Sequence, residues 1–302
     1  MIAPNRFSKY PLVPMKKLLS AALILSLPIL VLAAEPAPFK VEVTGSGPAM
    51  ILIPGLASGA NVWNGTVDHF KGRYQCHVLT LAGFAGQPAM SGPFLEKVRD
   101  GIVKYIHEQK FIHPVIIGHS LGGMMAFWVA ETAPADVGPI IAVDGVPFFP
   151  ALMDPAATRA STLPMAGQFR DMYAGMTQEQ FTQGNHQFLA AMITAASNVD
   201  FVTSLGDKSD PKAVGQAFYD LVTTDLRPAV KSIQSPVLLM GSDAMAPDAA
   251  TREKGHQAYA AQIAAIPHHK LIFAPTARHF IQLDDPEFFY RQADTFLKDN
   301  QK

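Results

Sequence analysis

Short apolar, β-rich runs alternate with helical patterns along most of this chain, and that alternation limits its fold more than any other feature. Phe39–Val43 alternates like a strand, and Ala49–Ile53 is a buried-type run ending at Pro54-Gly55. Gln75–Leu81, Pro114–Gly118, Pro139–Val143, Pro236–Met240 and Lys270–Phe273 read as further strands. Between Pro93 and Gln109, Phe94, Val98, Ile102 and Ile106 recur every fourth residue with charges on the other faces, an amphipathic helix. Leu121–Glu131 reads as a second helix, and a last one begins near Asp285-Pro286, an N-cap followed by proline. Strands alternating with helices imply an α/β fold with a mostly parallel, doubly wound sheet. Residues 145–228 break the rhythm: they are rich in Met, Phe, Ala and Gln and show no convincing strand. We expect them to form a helical cap inserted into a core made of residues 35–144 and 229–302. Gly45-Ser46-Gly47 precedes a strand and lacks a third glycine, so a hairpin turn is expected there and not a dinucleotide loop.

Composition narrows the partners. The net charge is -1, from 24 basic and 25 acidic side chains, with no long basic run to meet nucleic acid. Cys76 is the single cysteine, which excludes an internal disulfide and a multi-thiolate metal site. There is no H-E-x-x-H, and the His268-His269 pair has no clear further ligand, so no metal and no cofactor are expected. At the other end of the chain, Lys16-Lys17 precede an apolar stretch, Leu18–Leu32, followed by Ala33-Ala34 and Glu35-Pro36. A positive end, a greasy middle and a small-residue cut site describe a secretory signal peptide over residues 1–34, starting from Met1 or Met15. The stretch is shorter than the ~20 residues of a membrane span, and Pro28 lies inside it. The expectation is a periplasmic or secreted protein with no stable membrane insertion after cleavage.

Gly118-His119-Ser120-Leu121-Gly122 fits G-x-S-x-G, and its context gives it weight. Val115-Ile116-Ile117 before it reads as a strand and Leu121–Glu131 after it as a helix, so the serine stands on a sharp turn. The bland alternative is an ordinary helix N-cap. Taken in order with Ile53-Pro54-Gly55-Leu56, Leu81-Ala82-Gly83-Phe84-Ala85-Gly86 and Arg278-His279-Phe280, the motif resembles the α/β-hydrolase superfamily, especially its lipase- and esterase-like members with a helical cap. The resemblance covers nearly all of residues 39–298 and implies a serine nucleophile, a histidine base and an acid, with no cofactor.

A serine hydroxyl needs a base, and the chain offers ten histidines. Open parallel sheets bind at the carboxyl ends of their strands. His279 follows the Lys270–Phe273 strand at that end, whereas His268 and His269 precede it. His119 adjoins Ser120, but the turn is expected to point it away. Asp243, in Gly241-Ser242-Asp243 after the Pro236–Met240 strand, is the first choice of acid; Asp144, after the preceding core strand, is the alternative, and Asp248 is close. Either aspartate has a loop-capping alternative. The resemblance further implies an oxyanion hole built from the backbone amides of Leu56 and Leu121, with Pro54 and Thr80 departing from the family's usual histidine and aspartate. Most of the cap's aromatic and methionine side chains, Phe148 through Met192, are expected to be packing, and a minority to line the entrance. The combined reading is a serine hydrolase acting on small to medium hydrophobic carboxylic esters through an acyl-enzyme. An amidase or aminopeptidase, a lactonase, a C–C bond hydrolase and a non-catalytic binding protein on the same fold are the alternatives.

Overall fold

The computed structural model describes residues 1–2 and 35–300. The expected targeting segment, residues 1–34, falls almost wholly outside the described residues. All elements below belong to the compact unit that begins at Glu35.

The strands are β1 (Phe39–Gly45), β2 (Ala49–Ile53), β3 (Gln75–Leu81), β4 (Val115–His119), β5 (Ile140–Val143), β6 (Val237–Ser242) and β7 (His269–Ala274). They form one seven-stranded sheet in the order β1-β3-β2-β4-β5-β6-β7. Only β1 runs antiparallel, against β3. The expected hairpin at Gly45-Ser46-Gly47 is therefore corrected: β3 lies between β1 and β2, so the two strands that the turn joins are not neighbours. Nothing local to that turn reveals the third strand that enters between them.

Alternate residues of the central strands feed two apolar layers. Ile51, Ile53, Ile116, Ile140, Ala142, Val237 and Leu239 face one, with α2 (Phe94–Glu108) and α3 (Leu121–Thr132). Met50, Leu52, Val115, Ile117, Ile141, Val143, Leu238 and Met240 face the other, which includes Phe289, Ala293, Phe296 and Leu297 from the last helix. A sheet buried on both faces explains why these strands read as unbroken apolar runs. The remaining core helices are α1 (Asn64–Phe70), α8 (Ala249–Ile263), α9 (Ile281–Asp284) and α10 (Pro286–Asp299). Asp285 caps α10 through the Phe288 amide at 3.0 Å, with Pro286 in the first turn.

Between β5 and β6 the chain forms α4 (Arg159–Ala174), α5 (Gln178–Met192), α6 (Ala196–Gly206) and α7 (Pro211–Thr223), with no strand among these described residues. Thr158 and Thr177 start α4 and α5 with reciprocal capping boxes, and Asp210 caps α7. The expectation that most of the apolar cap side chains are packing needs correction. Phe148 and Phe181 are buried, but Phe149, Met153, Met165, Phe169, Met172 and Phe188 are exposed. Their spacing alone does not say which helix faces meet the core.

α3 is buried nearly all round, and Glu131 in its last turn has no partner for its buried Oε2. Burial pushes this carboxyl up to about 7, against the pull of Arg99. The folded chain thus holds a proton that the unfolded chain releases at lower pH. The resulting stability is whole below the ordinary value of 4.5 and is lost as pH rises through about 7. Glu131→Gln should raise stability at pH 8 by about 1 kcal/mol, after discounting for solvent at a half-buried group. It should change little at pH 4. Equal melting-temperature shifts at the two pH values would contradict this.

Candidate active site

β4 ends at His119 and α3 begins at Leu121, so Ser120 alone makes the turn. Its backbone sits at φ 55°, ψ -117°, and its side chain makes no capping bond to α3. The ordinary N-cap reading therefore does not describe it. Its amide donates to the Val143 carbonyl at 2.8 Å, tying the turn to the end of β5. A methyl group on Gly118 would run into the Gly122 carbonyl, and one on Gly122 into that of Ile53. Strand and helix cross there with no room for a Cβ, which is why both positions are glycine. Ala57, Ala85, Ser120 and Asp144 all hold positive φ beyond the carboxyl ends of β2, β3, β4 and β5. Each such non-glycine residue costs about 1–3 kcal/mol, and such strain clusters at functional sites.

Asp144 follows β5 at φ 49°, and its amide continues the ladder to the Met240 carbonyl at 2.7 Å. Its Oδ2 accepts from His279 Nδ1 at 2.6 Å. Its Oδ1 accepts from the Tyr259 hydroxyl at 2.7 Å and from the Ser242 amide at 3.1 Å. The carboxylate is 6% exposed and the imidazole 19%. A carboxylate only accepts, so Nδ1 donates, and in the neutral ring that tautomer leaves the lone pair on Nε2.

Asp243, the first choice from sequence, is not the partner of His279. Its Oδ1 accepts from His256 Nε2 at 2.7 Å, and Arg252 lies 3.9 Å from its other oxygen. The cause is strand length. β6 runs two residues past Met240, Ser242 pairs with Ala274, and the Asp243 amide still donates to the Ala274 carbonyl at 3.0 Å. Its carboxylate thus reaches α8 instead of the loop that carries His279. The alternative, Asp144, occupies that position. Asp248 is the N-cap of α8: it accepts from the Thr251 amide at 2.7 Å. His268 and His269 lie at the opposite end of β7, as expected from the strand direction.

His119 does not point away. Its ring is buried 4.7 Å from that of His279 and 4.3 Å from that of Phe280, and Nε2 donates to the His279 carbonyl at 3.1 Å. The histidine loop is thereby fastened to the residue next to Ser120. Burial, and then the neighbouring His279, hold His119 well below the ordinary imidazole value. The unfolded chain accepts a proton that the folded site refuses. This contribution to stability is whole above about pH 6.5 and is lost as pH falls below it, by up to about 1.4 kcal/mol per pH unit. His119→Gln, which keeps a donor but does not titrate, should flatten the acid side of the stability curve. A variant whose curve parallels that of the parent between pH 6.5 and 4.5 would contradict this.

The amide of Leu121 is the first of α3 and has no acceptor within its own helix. Leu56 lies in the loop after β2, beside Gly55, where an added Cβ would sit 3.2 Å from Ser120 Cβ and 2.9 Å from His119 Nδ1. Both leucines flank the serine at one sheet edge, where two backbone donors suit a developing oxyanion. Thr80 accepts from the Ala60 amide at 3.0 Å and so anchors the turn that follows this loop. The sequence gives no sign of Tyr259, and His256 passes there for an ordinary surface or boundary histidine. Their spacing of three places them on one face of α8, but nothing in that spacing names the carboxylates they meet.

Among the described residues, no group of three or more His, Cys, Asp or Glu side chains is placed to hold a metal ion. A cleft of about 1090 Å³ lined by residues of α2, α3 and α7 contains neither Ser120, Asp144 nor His279 in its walls.

Comparison with known proteins bears on the fold and the family. A pimeloyl-[acyl-carrier protein] methyl ester esterase of Nitrosomonas europaea is 25% identical over 264 residues, 84% of this chain and 97% of that protein. The protein of the same name from Aeromonas hydrophila is 32% identical over 157 residues, 50% of this chain and 56% of that protein. Among solved structures, an esterase from Exiguobacterium antarcticum superposes with a TM-score of 0.70 at 18% identity, covering 86% of this chain and 95% of that one. The enol-lactonase of Burkholderia xenovorans superposes with a TM-score of 0.69 at 15% identity, covering 86% and 96%. The sequence model of the alpha/beta hydrolase family matches residues 50–292, from β2 into α10 and through every residue of the site described above, and the chain belongs to that family.

Proposed function

We propose that this hydrolase is a serine esterase in which Ser120 is the nucleophile, His279 the general base and Asp144 the acid. The reading rests chiefly on the 2.6 Å bond that fixes the His279 proton on Nδ1, at the sheet edge where Ser120 makes its strained turn. Ser120 Oγ attacks the ester carbonyl while His279 Nε2 takes the hydroxyl proton. Asp144 holds the ring's orientation and stabilises the imidazolium that forms. The amides of Leu56 and Leu121 receive the oxyanion, where each donor contributes about 3–4 kcal/mol to lowering the barrier. His279 then gives its proton to the departing alcohol, which leaves an acyl-Ser120 ester. Water, deprotonated by the same nitrogen, releases the carboxylic acid. The relatives named as methyl ester esterases support an ester as the bond cleaved.

Hydrolysis of p-nitrophenyl esters of increasing chain length, set against a p-nitroanilide and a lactone, tests this. Short and medium esters should turn over fastest. Preference for the anilide would move the assignment to an amidase, and no turnover of any of the three would overturn it. Export is part of the same proposal and is supported by the Lys16-Lys17, Leu18–Leu32 and Ala33-Ala34 pattern. N-terminal sequencing of the protein from a periplasmic fraction should begin at Ala34 or Glu35. An intact N-terminus in the cytoplasmic fraction would contradict it.

A further inference from the structure

We propose that Tyr259 of α8 is a positioning residue for the acid of this site, an inference that rests on the assignment of Ser120, His279 and Asp144 above. The two oxygens of Asp144 are divided between partners: Oδ2 serves His279 alone, while Oδ1 takes the Tyr259 hydroxyl and the Ser242 amide. A carboxylate held by one oxygen from behind cannot rotate its other oxygen off the imidazole without breaking that hold. The tyrosine is itself fixed. Its ring stands edge-on to Phe273, 5.5 Å between centroids, and an added Cβ at Gly241 would lie 3.2 Å from its Cε1. Three residues earlier on the same helix, His256 stacks on the same Phe273 ring at 3.7 Å and binds Asp243. α8 therefore holds both carboxylates at this end of the sheet, presenting one to His279 and occupying the other.

The charged and titratable groups about the hydroxyl are Asp144 and, farther off, Asp243; burial and both carboxylates hold the phenol protonated, well above its ordinary value. It acts as a donor at every working pH. Removing a donor from a carboxylate leaves more negative charge facing the imidazole, which favours the imidazolium.

Tyr259→Phe keeps the ring and removes the bond. With p-nitrophenyl butyrate as substrate, kcat should fall roughly 5- to 20-fold, the loss of one charge-assisted bond, with KM within two-fold. The acidic limb of the kcat/KM profile should move to higher pH. His256→Gln, which disturbs the same helix face without touching Asp144, should leave that limb in place. A second readout needs no turnover: the low-field proton resonance of the His279 Nδ1–H, identified by its loss in His279→Gln, should shift in Tyr259→Phe. A parent enzyme that hydrolyses esters, beside a Tyr259→Phe variant unchanged in kcat, pH limb and resonance, overturns this inference alone. A parent that hydrolyses none and leaves Ser120 unlabelled by a fluorophosphonate overturns the functional assignment and this inference with it.

Discussion

Asp144→Asn should lower kcat for ester hydrolysis by about 10³–10⁴-fold, while Asp243→Asn should leave it within a few-fold. The difference follows from which imidazole each carboxylate touches. Asparagine at 144 offers an amide or a carbonyl to His279 Nδ1, loses the charge that stabilises the imidazolium, and can reverse the ring's tautomer. That takes the lone pair away from Nε2, the nitrogen required for proton transfer. The Asp144 carboxylate is also nearly buried and accepts three bonds, so its removal leaves donors unpaired. A modest stability loss should accompany the kinetic one. Asp243→Asn breaks the pair with His256 and loosens α8, which should appear as a lower melting temperature at nearly full activity. Steady-state kinetics and thermal melts on the two variants make the comparison. If Asp243→Asn were the crippled one, the acid would be the residue first favoured from sequence.

Ser120→Ala should fold as the parent does and lose about 10⁴–10⁶-fold in kcat. The serine hydroxyl makes no capping bond, so its removal takes nothing from α3. Alanine has the same preference against the positive φ that serine already tolerates. The activity remaining should be that of the oxyanion donors and binding alone, still above the uncatalysed rate. Circular dichroism and a melt within about 1 kcal/mol of the parent, beside a collapsed kcat, would locate the loss in the chemistry, since surface-type changes without a buried partner stay small. A variant that retains activity would mean that the turnover comes from another group.

The strands were legible because each is a short apolar run, and each observed boundary lies within one or two residues of the expected one. The turn at Ser120 was legible because Gly118 and Gly122 leave room where a strand and a helix cross too closely for a Cβ. The position of His279 beyond the carboxyl end of β7, where it meets Asp144, could be read from chain order and strand direction. Which aspartate meets His279 was not legible for a register reason. A sequence shows that an aspartate follows a strand, but the extra residues of β6 that carry Asp243 along β7 are a property of pairing. Likewise, the turn at Gly45-Ser46-Gly47 could not reveal that its two strands are separated by β3. α8 was missed altogether: it buries little beyond Gln262 and Ile263, so it has no apolar stripe to announce it. Its Tyr259 escaped notice for the same reason, and His256 passes for an ordinary surface or boundary histidine. His119 was read from the direction of the turn, whereas its position is set by the Phe280 and His279 rings that close over it.

The most direct measurement is covalent labelling of the folded protein with a fluorophosphonate, followed by peptide mass mapping. The expected result is one stoichiometric adduct on Ser120, slowed by orders of magnitude in His279→Ala because the hydroxyl then has no base. Absence of the adduct, a label on a different serine, or a rate indifferent to His279 would contradict the convergence of these side chains on one site.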